Sequence, residues 1–207
     1  MSDAALSDLG LNQPLPVGPV GHKSSGWWAM IFVIMTEASL FAYLLFSYTY
    51  LAVQPHQDWP PNGLPDLSLA LPDTVLLVAS SFVAWWGETG VKRGQRLRAL
   101  VGLGGAALMG IVFVAVQCVE WSHRPFTLSS SPYGSIFFVT TGFHMAHVLI
   151  GVLILLAVTL WTGLGYFDRV RNAPVSIGTL YWHFVDVVWL AVFFSFYLTP
   201  YLGCCHV

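Results

Sequence analysis

Five stretches of this 207-residue chain are apolar and almost free of charge over the length that crosses a bilayer. They run from about Trp27 to Val53, Leu71 to Val91, Ala99 to Val119, Tyr133 to Trp161 and Gly178 to Leu202. A hydrocarbon core about 30 Å thick takes roughly 20 apolar residues as a helix. Inside it the backbone finds no water to bond, so a crossing segment is a helix or a strand of a closed barrel. Barrel strands are about 10 residues long and alternate in polarity. These stretches are longer and do not alternate. The expected fold is therefore all-α: an integral membrane bundle of five transmembrane helices. Charged residues make up 9% of the chain, against about 25% in soluble domains.

The segments between the stretches agree. "QPHQDWPPNGLPDLSLALP" is Pro-rich and continues neither neighbouring helix. Residues 1–25 are polar, contain Pro and Gly, and lack the apolar run of a signal peptide. They read as a flexible N-terminal segment before one membrane domain over 26–203. The three cysteines, Cys118, Cys204 and Cys205, imply no disulfide framework. A net charge of −2 gives no electrostatic footprint for nucleic acid. Lys92, Arg93, Arg96 and Arg98 lie between the second and third stretches, Arg169 and Arg171 between the fourth and fifth, and Lys23 before the first. Five spans put all seven on one face and only Arg124 on the other. The excess of basic residues on cytoplasmic loops then places the N-terminus inside and the C-terminus outside.

Polar groups within the spans carry the functional question. Glu37 lies roughly 15 Å from one surface at 1.5 Å per residue, and His144 and His147 roughly 16–21 Å from the other. All three reach the midplane, so Glu37 meets the histidines if the first and fourth spans are neighbours. His144 and His147 are three residues apart and share a helix face, as do His183 and Asp186. Plainer readings stand beside these. His183 and Asp186 serve equally as interhelical hydrogen-bonding groups. Glu88 and Glu120 end their spans, where interfacial solvation makes a carboxylate ordinary. Gly102, Ala106 and Gly110 form a small-residue packing stripe. Glu37 is the exception, because intramembrane carboxylates are rare and usually functional.

Glu37, His144, His147, His183 and Asp186 supply enough ligands for zinc or iron. No Glu-x-x-His or His-Glu-x-x-His motif arranges them, and they spread over different depths. Haem needs only one or two His, which spacing does not exclude. A small membrane metalloenzyme and a proton-coupled transporter therefore stand as alternatives. The transporter is the weaker, since neither repeats nor broken helices are visible.

Several motifs resemble subunit III of the haem–copper cytochrome c oxidases. "YGSIFFVTTGFHMAHVLIG" and "LYWHFVDVVWL" are similar to that family's paired motifs in the last two spans. "WWAMIFVIMTEASLFAYLLF" looks like its Trp-x-Met-x-Phe-x-x-x-x-Glu helix, with Glu37 at the intramembrane carboxylate, and "VQCVEWSHRPFTLSSSPYGS" like its Glu-and-Pro-Phe loop. The likeness runs from about Gly26 to Leu202, in the form of the shorter, five-span bacterial members.

The resemblance implies a non-catalytic core subunit of a respiratory terminal oxidase in the bacterial cytoplasmic membrane. It implies no cofactor in this chain, with haem and copper in the partner subunits. Subunit I would be packed against directly, with subunit II in the same complex and cytochrome c or quinol as electron donor. Glu37, where quinol-oxidase relatives would carry Asp, favours cytochrome c. The related subunit of a quinol oxidase or nitric oxide reductase is the nearest alternative. The implied roles are stabilising subunit I, holding phospholipid and supporting proton uptake. Glu37 and His147 would lie beside the family's lipid cleft, and His144, His183 and Asp186 in the polar interior. Glu120, Arg169 and Arg171 would be interfacial. Trp161 stands where the family often has an Arg, which leaves Arg169 or Arg171 to meet lipid phosphate.

Overall fold

The computed structural model describes residues 25–54, 59–61, 63–167 and 172–202. They form five helices: α1 (Ser25–Ala52), α2 (Leu67–Lys92), α3 (Arg96–His123), α4 (Pro132–Leu164) and α5 (Ala173–Phe193). A π-helical turn (Phe194–Leu198) and a 3-10 turn (Thr199–Leu202) extend α5. All five helices are long and apolar enough to cross a membrane, α5 together with its two turns, and the described residues contain no strand. Arg169, Arg171, Lys23, Cys204 and Cys205 lie outside the described residues.

Local chemistry sets the ends. Asp66 caps α2 by accepting from the Ser68 backbone N–H at 2.9 Å and from the Ser68 hydroxyl at 2.9 Å. These two bonds hold the exposed Asp66 carboxyl below its usual range. The helix thus begins at Leu67, before the point where the Pro-rich loop alone would place it, and Pro72 lies inside it. Ser131 caps α4 through Gly134 N at 3.0 Å with Pro132 in the first turn, and Gly165 ends α4 at φ 86°. Pro200 cannot continue an α-helix, because its ring collides with the carbonyl four residues back. The turn before it widens accordingly, and Phe196 and Tyr197 are both buried there.

Helix α5 is central and packs on α1, α2 and α4, while α3 bridges α2 and α4. Two tryptophans pin α5 to α2. Trp182 Nε1 donates to Ser80 Oγ at 3.0 Å, and Trp189 Nε1 donates to Thr74 Oγ1 at 2.9 Å. Each hydroxyl hydrogen is spent on its own helix, on Leu77 O at 2.6 Å and Ala70 O at 2.7 Å, leaving the oxygen to accept. The Trp182 ring lies in a notch between Gly110 and Gly151. A Cβ on Gly151 would come within 2.8 Å of it. At the end opposite Lys92 an aromatic cluster of Tyr48, Trp59, Phe126, Tyr133, Phe137 and Phe196 closes the bundle.

Candidate functional site

Glu37 projects from α1 and His147 from α4, and the two meet: His147 Nε2 lies 2.9 Å from Glu37 Oε2. The other ring nitrogen, Nδ1, lies 2.6 Å from the Phe143 carbonyl one turn back on α4. That carbonyl only accepts, so Nδ1 carries the hydrogen. The Nε2–Oε2 contact is then closed by a single proton. Either a neutral carboxylic acid donates to a neutral imidazole, or an imidazolium donates to a carboxylate. With neither proton present two acceptors would face each other at 2.9 Å. Phe41 covers the pair edge-on, 5.2 Å from the His147 ring centre. The Glu37 side chain stays 31% exposed and that of His147 only 12%, so the acid is the member open to the surroundings.

His144, one turn away on the same helix, faces deeper. It is buried, stacks on Trp189 at 4.9 Å, and meets the edges of Phe113 and Phe41. Neither of its nitrogens has a hydrogen-bond partner among the described residues. His183 and Asp186 form a separate cluster through Ser81 of α2. The Ser81 hydroxyl donates to Asp186 Oδ2, so its oxygen accepts from His183 Nδ1–H at 2.9 Å.

Glu120 is not the solvated interfacial carboxylate that its place at a span end implies. It is buried, because α3 runs on to His123 and the π-helical turn brings Tyr197 over it. Its Oε1 accepts from the Tyr197 hydroxyl at 2.6 Å and from Arg124 Nη2, and Oε2 from Gln117 Nε2 at 3.4 Å. Arg124 also lies over the rings of Phe137 and Tyr197. Glu88 is bound as well, to Lys92 and to the Ser176 hydroxyl. Sequence reasoning passed over Ser81, Tyr197, Gln117 and the buried Asp73. Asp73 alone carried a usable signal, as an acid one position after a proline in an apolar run. Among the described residues no group of three or more His, Cys, Asp or Glu could hold a metal ion.

The family model for cytochrome c oxidase subunit III matches residues 23–201. The chain belongs to the cytochrome c oxidase subunit III family. It is 36% identical over 186 residues to "Cytochrome c oxidase subunit 3" of Synechocystis sp., covering 87% of this chain and 78% of that one. The zebrafish protein of that name, from Danio rerio, is 34% identical over 177 residues, covering 82% of this chain and 68% of its own length. The wheat protein, from Triticum aestivum, is 33% identical over 177 residues, covering 82% and 67%. The matched region takes in all five helices, and with them Glu37, His144, His147, His183 and Asp186. Five apolar spans and this membership make the chain a multi-pass membrane subunit of the subunit III type.

Proposed function

We propose that this chain is the non-catalytic subunit III of a respiratory cytochrome c oxidase in a bacterial cytoplasmic membrane. It packs on subunit I beside subunit II, and haem, copper and the oxygen chemistry reside in those partners. Glu37 and His147 are its proton-linked polar site, bordered by phospholipid. The observation that carries this is the 2.9 Å contact between them, which ties α1 to α4 and shares one proton between an imidazole and a partly exposed carboxyl. The carboxyl is the member of the pair open to its surroundings, and the pairing fixes α1, the most exposed helix of the bundle. His144, His183 and Asp186 hold helices together in the interior. The loop carrying Lys92, Arg93, Arg96 and Arg98 faces the cytoplasm.

Glu37→Gln tests the site. Gln keeps the shape and donates an amide hydrogen to His147 Nε2, but it does not titrate. One intramembrane hydrogen bond is worth only about 0.6 kcal/mol, so the complex should assemble with normal haem and copper. Oxygen consumption should start at most of the wild-type rate and then fall away sooner during sustained turnover. Complete loss of initial turnover in a haem-replete mutant complex would make Glu37 catalytic and end the accessory reading. Orientation has its own check. Gln95→Cys should add a thiol that a membrane-permeant reagent labels in intact cells and an impermeant one does not. Labelling by the impermeant reagent would invert the topology.

A further inference from the structure

Asp73 of α2 and Gln117 of α3 are buried polar groups to which the subunit III role gives no task. They are 3% and 1% exposed. Neither Asp73 oxygen has a hydrogen-bond partner among the described residues, nor does Gln117 Oε1. Gln117 Nε2 donates to Glu120, a carboxylate that only accepts, so Oε1 is the end turned away from it. The antiparallel register of α2 and α3 brings these three oxygens to one level. Gly90 stands against Ala99, and Gly87 against Gly102 and Leu103. At the other end Leu69 and Glu120 border one cavity of about 230 Å³, together with Asp66, His123 and Arg124. In steps of three and four residues Asp73 continues the stripe of Gly90, Gly87, Val83, Ser80 and Leu76. Gln117 continues the buried stripe of Ala99, Gly102, Ala106, Gly110 and Phe113 in the same way. Counted on from the glycine contacts, Asp73 lies opposite Gln117, about one turn below the cavity floor.

We propose that Asp73 and Gln117 bind one alkali-metal cation, which enters through this cavity from the aqueous phase. Its ligands are the two Asp73 oxygens, Gln117 Oε1 and water from the cavity. Carboxylate, amide carbonyl and water are the oxygens that hard cations take. Charge decides the valence. Arg124 neutralises Glu120, while the ion pairs among the described residues leave Asp73 without a counter-charge. A buried carboxylate left in that state is strongly destabilising, and one monovalent cation cancels it. A proton or a water satisfies less of the site. Protonated Asp73 would donate to Gln117 Oε1 and leave its own second oxygen bare. A single water brings two hydrogens to three acceptors and no charge. Asp66, ionised and exposed at the mouth, draws cations to the entrance. The site lies between α2 and α3, apart from the Glu37–His147 pair that joins α1 to α4, and is independent of the role given to Glu37.

The test uses the whole purified oxidase complex, exchanged into N-methylglucamine chloride. It is then offered radiolabelled sodium or potassium at constant ionic strength, with bound ion counted by equilibrium dialysis. The wild type should hold one alkali ion more per complex than Asp73→Asn, which keeps the shape and removes the charge. Gln117→Met keeps the length and removes the oxygen, and should weaken that binding by about tenfold or more, as loss of a metal-site partner does. By mass action the ion should also raise the temperature at which subunit III leaves the wild-type complex, and leave Asp73→Asn unmoved. Equal ion counts in wild type and Asp73→Asn would overturn the proposal. So would a wild-type release temperature that is the same in N-methylglucamine as in sodium and potassium, which would mean that Asp73 is held neutral by a proton. Stronger protection by calcium than by either alkali ion, lost in Asp73→Asn, would overturn the monovalent assignment. If Asp73→Asn fails to assemble, the wild-type release temperatures and Gln117→Met carry the comparison.

Discussion

Gly102→Val should leave no subunit III assembled in the oxidase. Gly102 of α3 lies against the backbone of α2. A Cβ there would stand 2.6 Å from Gly87 N and 3.0 Å from Val83 O, and would also collide with Gly87 Cα. The reverse holds for Gly87, whose Cβ would stand 2.7 Å from Leu103 N. Backbone cannot swing aside as a flexible side-chain end can, so the two helices would have to separate. That separation would disrupt the antiparallel pair from Gly90, which faces Ala99, to the far end. Overpacking of this kind costs about 1–3 kcal/mol and sometimes more. In a membrane, close approach of small residues is itself the attraction between helices. The comparison is Gly105→Ala, whose Cβ would meet Val83 Cγ1 at an ordinary 3.5 Å and should be silent. Subunit III content of the purified complex measures both. Normal content with Gly102→Val would mean that α2 and α3 do not pack through this pair.

The helices were legible because their signal is length. An uncharged apolar run of twenty or more residues has one way to satisfy its backbone in hydrocarbon, and all five runs are helices. The Gly102, Ala106, Gly110 stripe was legible for a similar reason, since close packing needs small residues at fixed spacing. Glu37 and His147 were brought together by depth, a coordinate that sequence position supplies directly. What depth does not supply is the direction in which a side chain leaves its helix. His144 and His147 share a face broadly, yet one stacks on Trp189 and the other reaches Glu37. Ser81 was invisible for a chemical reason. Serines and threonines in these helices mostly donate to their own backbone, as Ser80 and Thr74 do, and nothing in the sequence marks the one that bridges to another helix. Glu120 reads as interfacial because the apolar run ends beside it, whereas its charged and phenolic partners are not in that run. Arg124 and Tyr197 lie beyond or far from that run in sequence, and the turn forced by Pro200 is what delivers Tyr197.

Glu120→Ala should therefore be among the most damaging single changes at the end of the bundle opposite Lys92. The Arg124 side chain is only 12% exposed, and Tyr197 is fully buried. Removing the carboxylate strands a guanidinium and a phenol that both point at it, and also frees the Gln117 amide. Breaking a buried pair from one side costs about 3–5 kcal/mol, mostly through the charge left without a partner. The same reasoning predicts that the double change Glu120→Leu with Arg124→Met is milder than Glu120→Ala alone, because no charge remains to be stranded. Thermal release of subunit III from the purified complex would rank the three proteins. The double variant should fall between wild type and Glu120→Ala. If Glu120→Ala releases at the wild-type temperature, water reaches Arg124 freely and the cluster does not stabilise the fold. If the double variant is the worst of the three, the Glu120–Arg124 attraction exceeds the cost of burying it, and the charge pair itself holds α3 to the turn after α5.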